Sequence, residues 1–174
     1  MKSLLVKWAN FCFNFFSTVE GMSVVVVVTV NGKSPQELYE FMLNLDREKY
    51  LDWHKDHKDF KIVKHDPQII GSIFYFEEFI GKKKINYNWK IISLKQNEKM
   101  ILKAEHFYDV TLELTFTKSN ENTIVTHALR FGLGNHFLDF FVRKMFLTDT
   151  FRKNMQQHAE EEFKTLEHLI KNKY

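Results

Sequence analysis

The sequence has few of the residues that define several protein classes. It contains one cysteine, two prolines and six glycines among 174 residues. The single cysteine, Cys12, excludes an intramolecular disulfide framework and any zinc site built from several thiolates. No uninterrupted apolar run reaches the roughly 18 to 20 residues that span a bilayer. The 25 basic and 22 acidic residues are scattered, so no basic stripe favours nucleic acid. We therefore expect a soluble, cytoplasmic protein that does not bind nucleic acid.

Large apolar side chains are abundant instead. Hydrophobic residues make up 44% of the chain and aromatic residues 16%, with eighteen phenylalanines. This composition favours a packed core over a disordered chain, and the length fits one domain. Because only one thiol is present, a metal site has to use histidine and carboxylate ligands.

The first twenty residues differ from the rest of the chain and leave three interpretations open. Their apolar residues recur at helical spacing, which predicts an amphipathic helix that lies on a membrane surface or packs on the domain. A secretory signal is the second interpretation, although polar residues interrupt its apolar region and no cleavage site stands out. In the third, Met22 is the natural start. We assign residues 1–21 to an N-terminal extension and residues 22–174 to the domain.

The body predicts one strand, two helices, six further strands and a long helical part. Ser23–Val30 is a nearly unbroken run of β-branched residues and predicts a buried strand. Ser34 and Glu37 form a capping-box pattern that predicts the start of a helix, and Arg47–Trp53 predicts a second short helix or turn. The further strands are predicted, from the turn signals between them, at residues 60–65, 72–80, 85–91, 100–105, 110–117 and 123–131. The helical part is predicted in two pieces, residues 137–146 and 148–172.

This order of elements predicts an α+β helix-grip fold. A seven-stranded antiparallel sheet buries its concave face most economically by wrapping around the one long C-terminal helix. The arrangement leaves a cavity between sheet and helix, which suits a small hydrophobic or aromatic molecule. The residues that we expect to line this cavity are Tyr75, Tyr87 and Trp89 on the strands and Phe151 and Met155 on the final helix.

Two polar residues interrupt the apolar stripe of the final helix. His158 and Glu162 lie in one series with Met155 and Leu166, at spacings of three or four residues. A carboxylate that faces a core costs several kcal/mol unless it is paired or bound to a cation. A hydrogen-bonded or solvated pair is the ordinary explanation, but a histidine and a carboxylate one turn apart can also reach a single metal ion.

Two further groups of polar residues favour the metal interpretation. His54 and His57 stand in a short link after Trp53. Glu77 and Glu78 lie side by side in an otherwise apolar strand, so one of them must face inward. The link, the strand and the helix together supply two histidines and two glutamates, a ligand set that suits zinc with room for water or substrate.

The remaining histidines have different expected roles. His127 alternates with apolar residues along its strand and is a candidate to face the cavity. With Glu77, it is also a candidate for proton transfer in a catalytic site. The other four, which adjoin turns or lie off the inward stripe of the final helix, are expected in solvent: His65, His106, His136 and His168.

Several short motifs of the sequence resemble those of one protein superfamily. They are Trp53-His54-x-x-His57, the strand that opens with Gly71-Ser72 and ends with Glu78-Phe79-Ile80-Gly81, Thr126-His127-x-Leu129, and His158-x-x-x-Glu162. On these phrases and on the order of its elements, the body resembles the START-like helix-grip (SRPBCC) superfamily, which includes polyketide cyclases and plant lipid-binding allergens. Within it, the chain is similar to the branch that contains diacetylphloroglucinol hydrolase.

The resemblance implies a specific activity. Enzymes of that branch use zinc to cleave a carbon–carbon bond next to a carbonyl. Carried over by motif, the zinc ligands here are His57 or His54, together with Glu78, His158 and Glu162. The superfamily also contains many carriers without catalysis, so a non-catalytic carrier of a lipid or polyketide-like molecule is the alternative.

Overall fold

The structure, a computed structural model, describes residues 23–105, 109–132, 139, 144 and 147–172. Its helices are α1 (Pro35–Leu43), α2 (Arg47–Trp53) and α3 (Asp149–Asn172). Its strands are β1 (Ser23–Val30), β2 (His57–Lys64), β3 (Ile73–Ile80), β4 (Lys83–Lys95), β5 (Lys99–Ala104), β6 (Asp109–Ser119) and β7 (Asn122–Gly132).

The seven strands form one antiparallel sheet in the order β1-β7-β6-β5-β4-β3-β2. The long helix α3 packs on β1 and approaches α2 and β3. Its inward residues Met155, Phe163 and Leu166 are buried against the concave face of the sheet. The predicted α+β helix-grip architecture is therefore confirmed.

The two short helices are positioned by their caps. At α1, the Glu37 amide donates to Ser34 Oγ at 3.2 Å and the Ser34 amide donates to Glu37 Oε2 at 2.8 Å, which is the predicted capping box. At α2, the side chain of Asp46 accepts from the Lys49 amide at 2.9 Å. This helix carries the buried Tyr50 toward the interior.

The beginning of β2 differs from the sequence prediction. The strand starts at His57, three residues before the predicted start, so His57 is a strand residue instead of part of a link. His54 remains outside the strand as the C-cap of α2. The polar sequence between residues 54 and 59 hid this extension, because strand prediction depends on apolar alternation.

The prediction that β1 is buried holds for one face only. Val24 and Val26 are 6% and 3% exposed, whereas Val25 and Val27 are 52% and 62% exposed. An unbroken run of valine has no polar residues to mark the outer face, so the pattern could not distinguish a strand covered on both faces from one covered on one.

Some predictions concern residues that the structure does not describe. They are the interpretations of residues 1–21, most of the predicted helix 137–146, and the two histidines His106 and His136. His65 and His168 are both exposed, as predicted. Among the described residues, no helix is both long and apolar enough to cross a membrane.

Candidate ligand cavity and metal-binding cluster

A cavity of about 300 Å³ lies between the concave face of the sheet and α3. Four of the five residues predicted to line it do so: Tyr87, Trp89, Phe151 and Met155. Other apolar parts of its wall come from strands β3, β5, β6 and β7 and include Phe76, Ile80, Leu102, Leu112, Leu114, Leu129 and Phe131.

The structure corrects the placement of two predicted site residues on β3. Alternate residues of this strand face opposite sides, and Phe76 and Glu78 line the cavity. Tyr75 lies on the other face, where its hydroxyl donates to Glu77 Oε2 at 2.7 Å. Glu77 also pairs with Lys84, whose ammonium nitrogen is 2.8 Å from Glu77 Oε1, and this contact lowers the pKa of Glu77. Tyr75 is therefore not a cavity residue, and Glu77 is not placed for proton transfer there.

Four donors converge at the α2 side of the cavity, and we call them the four-donor cluster. They are His57 on β2, Glu78 on β3, and His158 and Glu162 on α3. The register of the sheet pairs His57 with Glu78, and the helical spacing aligns His158 with Glu162. One donor atom from each residue lies within 4.8 Å of the other three. Glu78, His158 and Glu162 also line the cavity, so the cluster opens onto it.

The distances within the four-donor cluster can be compared with those between ligands of one metal ion. Bonds of about 2.0 to 2.2 Å in a tetrahedron place neighbouring ligand atoms about 3.3 to 3.6 Å apart. His158 Nε2 is 3.0 Å from Glu78 Oε2 and 3.5 Å from Glu162 Oε1. His57 Nε2 is 2.7 Å from Glu162 Oε1 and 3.8 Å from Glu78 Oε2. The donor types suit zinc; the distances of 3.5 and 3.8 Å are near the tetrahedral values, whereas those of 2.7 and 3.0 Å are hydrogen-bond distances.

Both ring nitrogens of His57 face oxygen acceptors. Nδ1 is 2.7 Å from the carbonyl oxygen of Tyr50, and Nε2 is 2.7 Å from the carboxylate of Glu162. A neutral imidazole carries one proton, so without a cation the ring needs a proton on each nitrogen to satisfy both contacts. With a cation at Nε2, the Nδ1 proton alone suffices, and a backbone carbonyl is a usual partner for a metal-bound histidine.

The charged forms of His158 and Glu162 stabilise each other. Burial lowers the pKa of His158, but its hydrogen bonds to Glu162 and Glu78 outweigh burial and raise the pKa to about 10. Burial raises the pKa of Glu162, but hydrogen bonds to His158 and His57 outweigh it and hold this pKa well below the usual range. The cluster is therefore a concentration of charge at the wall of an otherwise apolar cavity.

His54, the other histidine that the sequence offered as a ligand, lies beside the cluster. It is 3% exposed, and its ring centroid is 4.6 Å from that of His158. Its Nε2 is 3.4 Å from Glu161 Oε2, and its Nδ1 accepts from the Asp56 amide at 3.3 Å. Burial, and next the charge of His158, lower the pKa of His54. The structure thus places both candidate histidines of this region in the interior.

His127 faces the cavity from β7. It stands opposite Leu114 of β6 and lines the cavity wall. Among the buried side-chain polar atoms of the described residues, its Nδ1 is the one that lacks a hydrogen-bond partner. Burial lowers the pKa of His127, which favours the neutral ring.

Two residues of α2 contribute to the site although the sequence analysis did not select them. Tyr50 and Trp53 line the cavity, and the ring of Tyr50 stacks on His57 at 3.9 Å with an angle of 4°. The indole nitrogen of Trp53 donates to the backbone carbonyl of Glu162 at 2.8 Å and so joins α2 to α3. Their spacing of three residues, which places them on one helix face, was the available signal.

Comparisons with known proteins indicate the fold. No protein-family model and no curated protein matches the sequence. A START superfamily protein from Mycobacterium smegmatis matches 86% of this chain and 97% of its own, with 12% identity and a TM-score of 0.64. The protein TTHA0849 from Thermus thermophilus matches 85% of this chain and 96% of its own, with 16% identity and a TM-score of 0.63. The polyketide-cyclase-like protein Cgl2372 from Corynebacterium glutamicum matches 86% of this chain and 94% of its own, with 11% identity and a TM-score of 0.50.

Proposed function

We propose that this chain, which has the START-like helix-grip fold, is a zinc-dependent hydrolase that acts on a small apolar or aromatic molecule. The observation that carries the proposal is a cluster of two imidazoles and two carboxylates that opens onto a cavity of about 300 Å³. Such a cluster is costly to bury in an apolar wall unless a cation, or protons bound to the imidazoles, compensate the carboxylate charges. In the proposal, His57, Glu78, His158 and Glu162 hold the ion.

The cavity supports a compact ligand with one polar end. Its volume is at the lower limit for small-molecule sites, which run from about 300 to 1,000 Å³. Tyr87, Trp89 and Phe151 present aromatic surfaces that favour contact with another ring. Because the four-donor cluster forms part of the same wall, a bound aromatic ketone places its carbonyl oxygen toward the cluster.

The proposed reaction adds water across a carbon–carbon bond next to a carbonyl. The acyl carbon leaves as a carboxylic acid, and the other carbon takes a proton. A zinc ion held by these four residues would polarise a carbonyl and would lower the pKa of a water molecule toward about 7.

The protein supplies orientation and a dry environment. The Tyr50 carbonyl fixes the ring of His57, and the apolar walls exclude bulk water. In the proposal, the neutral imidazole of His127, which lines the cavity, offers the substrate a hydrogen bond.

A non-catalytic carrier is the second candidate. It is favoured by the direct contacts of His158 with Glu78 and Glu162, since protonated imidazoles satisfy both carboxylates without a metal ion. In this case the cavity carries a lipid or polyketide-like molecule, and the cluster is an internal set of ion pairs at its wall.

The two candidates are separated by titration and turnover. Untagged, chelator-treated protein is titrated with Zn²⁺ by calorimetry and then incubated with phenols that carry an acyl group on a ring carbon, while carboxylic acid release is followed. A hydrolase releases acid only with zinc present, and Glu162→Gln abolishes the release while Glu160→Gln retains it. Ligand binding without acid release supports the carrier, and the absence of zinc binding overturns the metal-dependent proposal.

A further inference from the structure

A lysine stands in the inner row of strand β4. Lys83 begins this strand, and the register of the sheet pairs it with Ile80 of β3. Directly opposite residues of antiparallel strands lie on the same face, and Ile80 is 4% exposed and lines the cavity. Lys83 therefore shares its face of β4 with Ile85 and Tyr87, and all three line the cavity.

Lys83 lies at the rim of the cavity, where β3 and β4 are joined by a tight turn. The residue is exposed, so its methylene groups cover apolar wall while its ammonium stays in water. The turn also touches α3, because a Cβ atom added at Gly81 would collide with the side chain of Asn154. Strand and helix thus meet beside Lys83, which fixes the place of its backbone at the rim.

The ammonium of Lys83 has no partner of opposite charge. Within the described part of the chain it makes no ion pair, and the carboxylates around it are engaged elsewhere. On the outer face, Glu77 pairs with Lys84 at 2.8 Å. On the inner face, each carboxylate of the four-donor cluster contacts an imidazole, at 3.0 and 2.7 Å. One positive charge is therefore left uncompensated beside an apolar wall.

The register also places this charge close to the four-donor cluster. Glu78 lies two residues before Ile80, the partner of Lys83, so Glu78 and Lys83 are diagonal neighbours on the same face. The Cα atoms of such neighbours are about 7 to 8 Å apart. One compact molecule can therefore direct a carbonyl toward the cluster and an acid group toward Lys83.

We propose that the ligand of the cavity is an aromatic carboxylate whose ionised group binds the ammonium of Lys83. A single ammonium balances one negative charge, which favours a carboxylate over a phosphate, whose charge at neutral pH is about −1.5 to −2. The proposal rests on the ligand cavity of the proposed function and narrows the class of its substrate. It does not depend on the metal ion, because Lys83 is not part of the four-donor cluster.

Two probes of nearly equal size, 2-naphthoate and 2-acetylnaphthalene, test the charge preference. Their affinities are measured by calorimetry on untagged, full-length protein that a chelator has freed of metal ions. We expect wild type to prefer the carboxylate. Lys83→Gln should bind it about threefold to fivefold more weakly, as for one exposed ion pair, and should bind the ketone unchanged. Lys83→Arg should retain the carboxylate affinity. Added salt should weaken carboxylate binding in wild type but not in Lys83→Gln.

The matched control is Lys82→Gln, which removes the same charge from the adjacent, exposed turn residue. We expect its affinity for 2-naphthoate to equal that of wild type. Equal losses in Lys82→Gln and Lys83→Gln overturn the proposal, since the whole turn and not Lys83 would then attract the anion. A wild-type protein that binds the ketone as tightly as the carboxylate also overturns it.

The outcomes separate this proposal from the proposed function. Loss of the carboxylate preference alone overturns the role of Lys83 and leaves the zinc hydrolase intact. A protein that prefers 2-naphthoate but binds no zinc supports the role of Lys83 and overturns the hydrolase. Wild-type protein that binds neither probe overturns the role of Lys83 and contradicts the ligand cavity of the proposed function.

Discussion

The Nε2 atom of His57 lies 2.7 Å from Oε1 of Glu162, although 105 residues separate the two in the chain. The other ring nitrogen of His57 is held at 2.7 Å by the carbonyl of Tyr50, so the ring has little freedom to turn. This contact joins the edge strand β2 to the gripping helix α3. At this distance the two atoms share a proton, and a bound ion would require them to move apart to about 3.3 Å.

Replacing Glu162 with glutamine should destabilise the metal-free protein. The amide keeps the size of the side chain but removes the charge that His57 and His158 contact, and it introduces donors opposite their ring nitrogens. Leaving buried hydrogen-bonding groups unsatisfied costs about 1 to 3 kcal/mol in free energy of unfolding. Thermal and urea unfolding in a chelating buffer measure this loss.

The matched control for that variant is Glu160→Gln on the same helix. Glu160 accepts a hydrogen bond from the Gln156 side chain, which a glutamine at position 160 can still accept. We expect its stability within about 0.5 kcal/mol of wild type, as for most surface substitutions. Equal effects of the two substitutions would contradict a special role for Glu162.

The metal-free protein should be most stable in mildly acidic solution. The carboxylates overcome burial and raise the pKa of His158 from 6.5 to about 10, so its contribution is complete below pH 6.5 and is lost as the pH rises through 10. The pKa of Glu162 is lowered from 4.5 because His158 and His57 outweigh burial, so its contribution is present above pH 4.5 and is lost as the pH falls. Melting temperatures measured in chelator should peak between about pH 4.5 and 6.5.

Replacing His158 with glutamine tests the alkaline half of this profile. The variant lacks the group whose pKa is raised to about 10, so its melting temperature should decline less than that of wild type between pH 6.5 and 10. Identical alkaline profiles for the two proteins would show that His158 does not carry this dependence.

Zinc should oppose the loss of stability that the metal-free protein shows above pH 6.5. Metal binding requires unprotonated imidazoles, so the zinc-induced rise in melting temperature should grow as the pH increases from about 6 to 8.5. Differential scanning calorimetry with and without zinc measures the rise at each pH. A rise that shrinks over this range would argue against ligation by His57 and His158.

Filling the cavity should weaken ligand binding without unfolding the protein. Met155 lines the cavity and is 4% exposed, so Met155→Trp places a larger ring in the space that a ligand occupies. We expect a fluorescent apolar dye to bind wild type with micromolar affinity, about −8 kcal/mol, and the variant at least tenfold more weakly. Met155→Leu, which nearly conserves volume, should bind the dye as wild type does. Unfolding of Met155→Trp, with no dye bound by wild type, would show that helix and sheet pack directly.

His127 should distinguish polar ligands from apolar ones. His127→Phe removes the buried Nδ1 that lacks a partner, so we expect the free energy of unfolding to stay the same or to rise by about 1 kcal/mol. The affinity for an aromatic ketone should fall about tenfold, whereas that for the apolar dye should not change. Equal losses for both ligands would indicate altered cavity shape instead of a lost hydrogen bond.

The fold could be predicted closely because its signals are local. Ser34 and Glu37 mark the start of α1 by a pattern that spans four residues, and the alternation in β6 shows its two faces directly. The run of valines in β1 lacks such a contrast, which is why the exposure of Val25 and Val27 was missed.

The site was less predictable because it depends on which face of β3 each residue occupies and on which residues of β2 and β3 are paired. The sequence requires that Glu77 or Glu78 face inward, but only the pairing of β2 with β3, which sets His57 against Glu78, decides between them. Tyr75 lies three residues from Glu78 on a strand and so cannot share its face. Similarly, the choice between His54 and His57 depends on where α2 ends and β2 begins, which polar residues do not reveal.

The zinc content of untagged, full-length protein, purified without chelator and measured by mass spectrometry, tests the central claim most directly. The account predicts about one zinc ion per chain in wild type and in Glu160→Gln, and a content near zero in Glu162→Gln. The same zinc content in all three proteins, whether about one ion per chain or none, would contradict a metal site at His57, Glu78, His158 and Glu162.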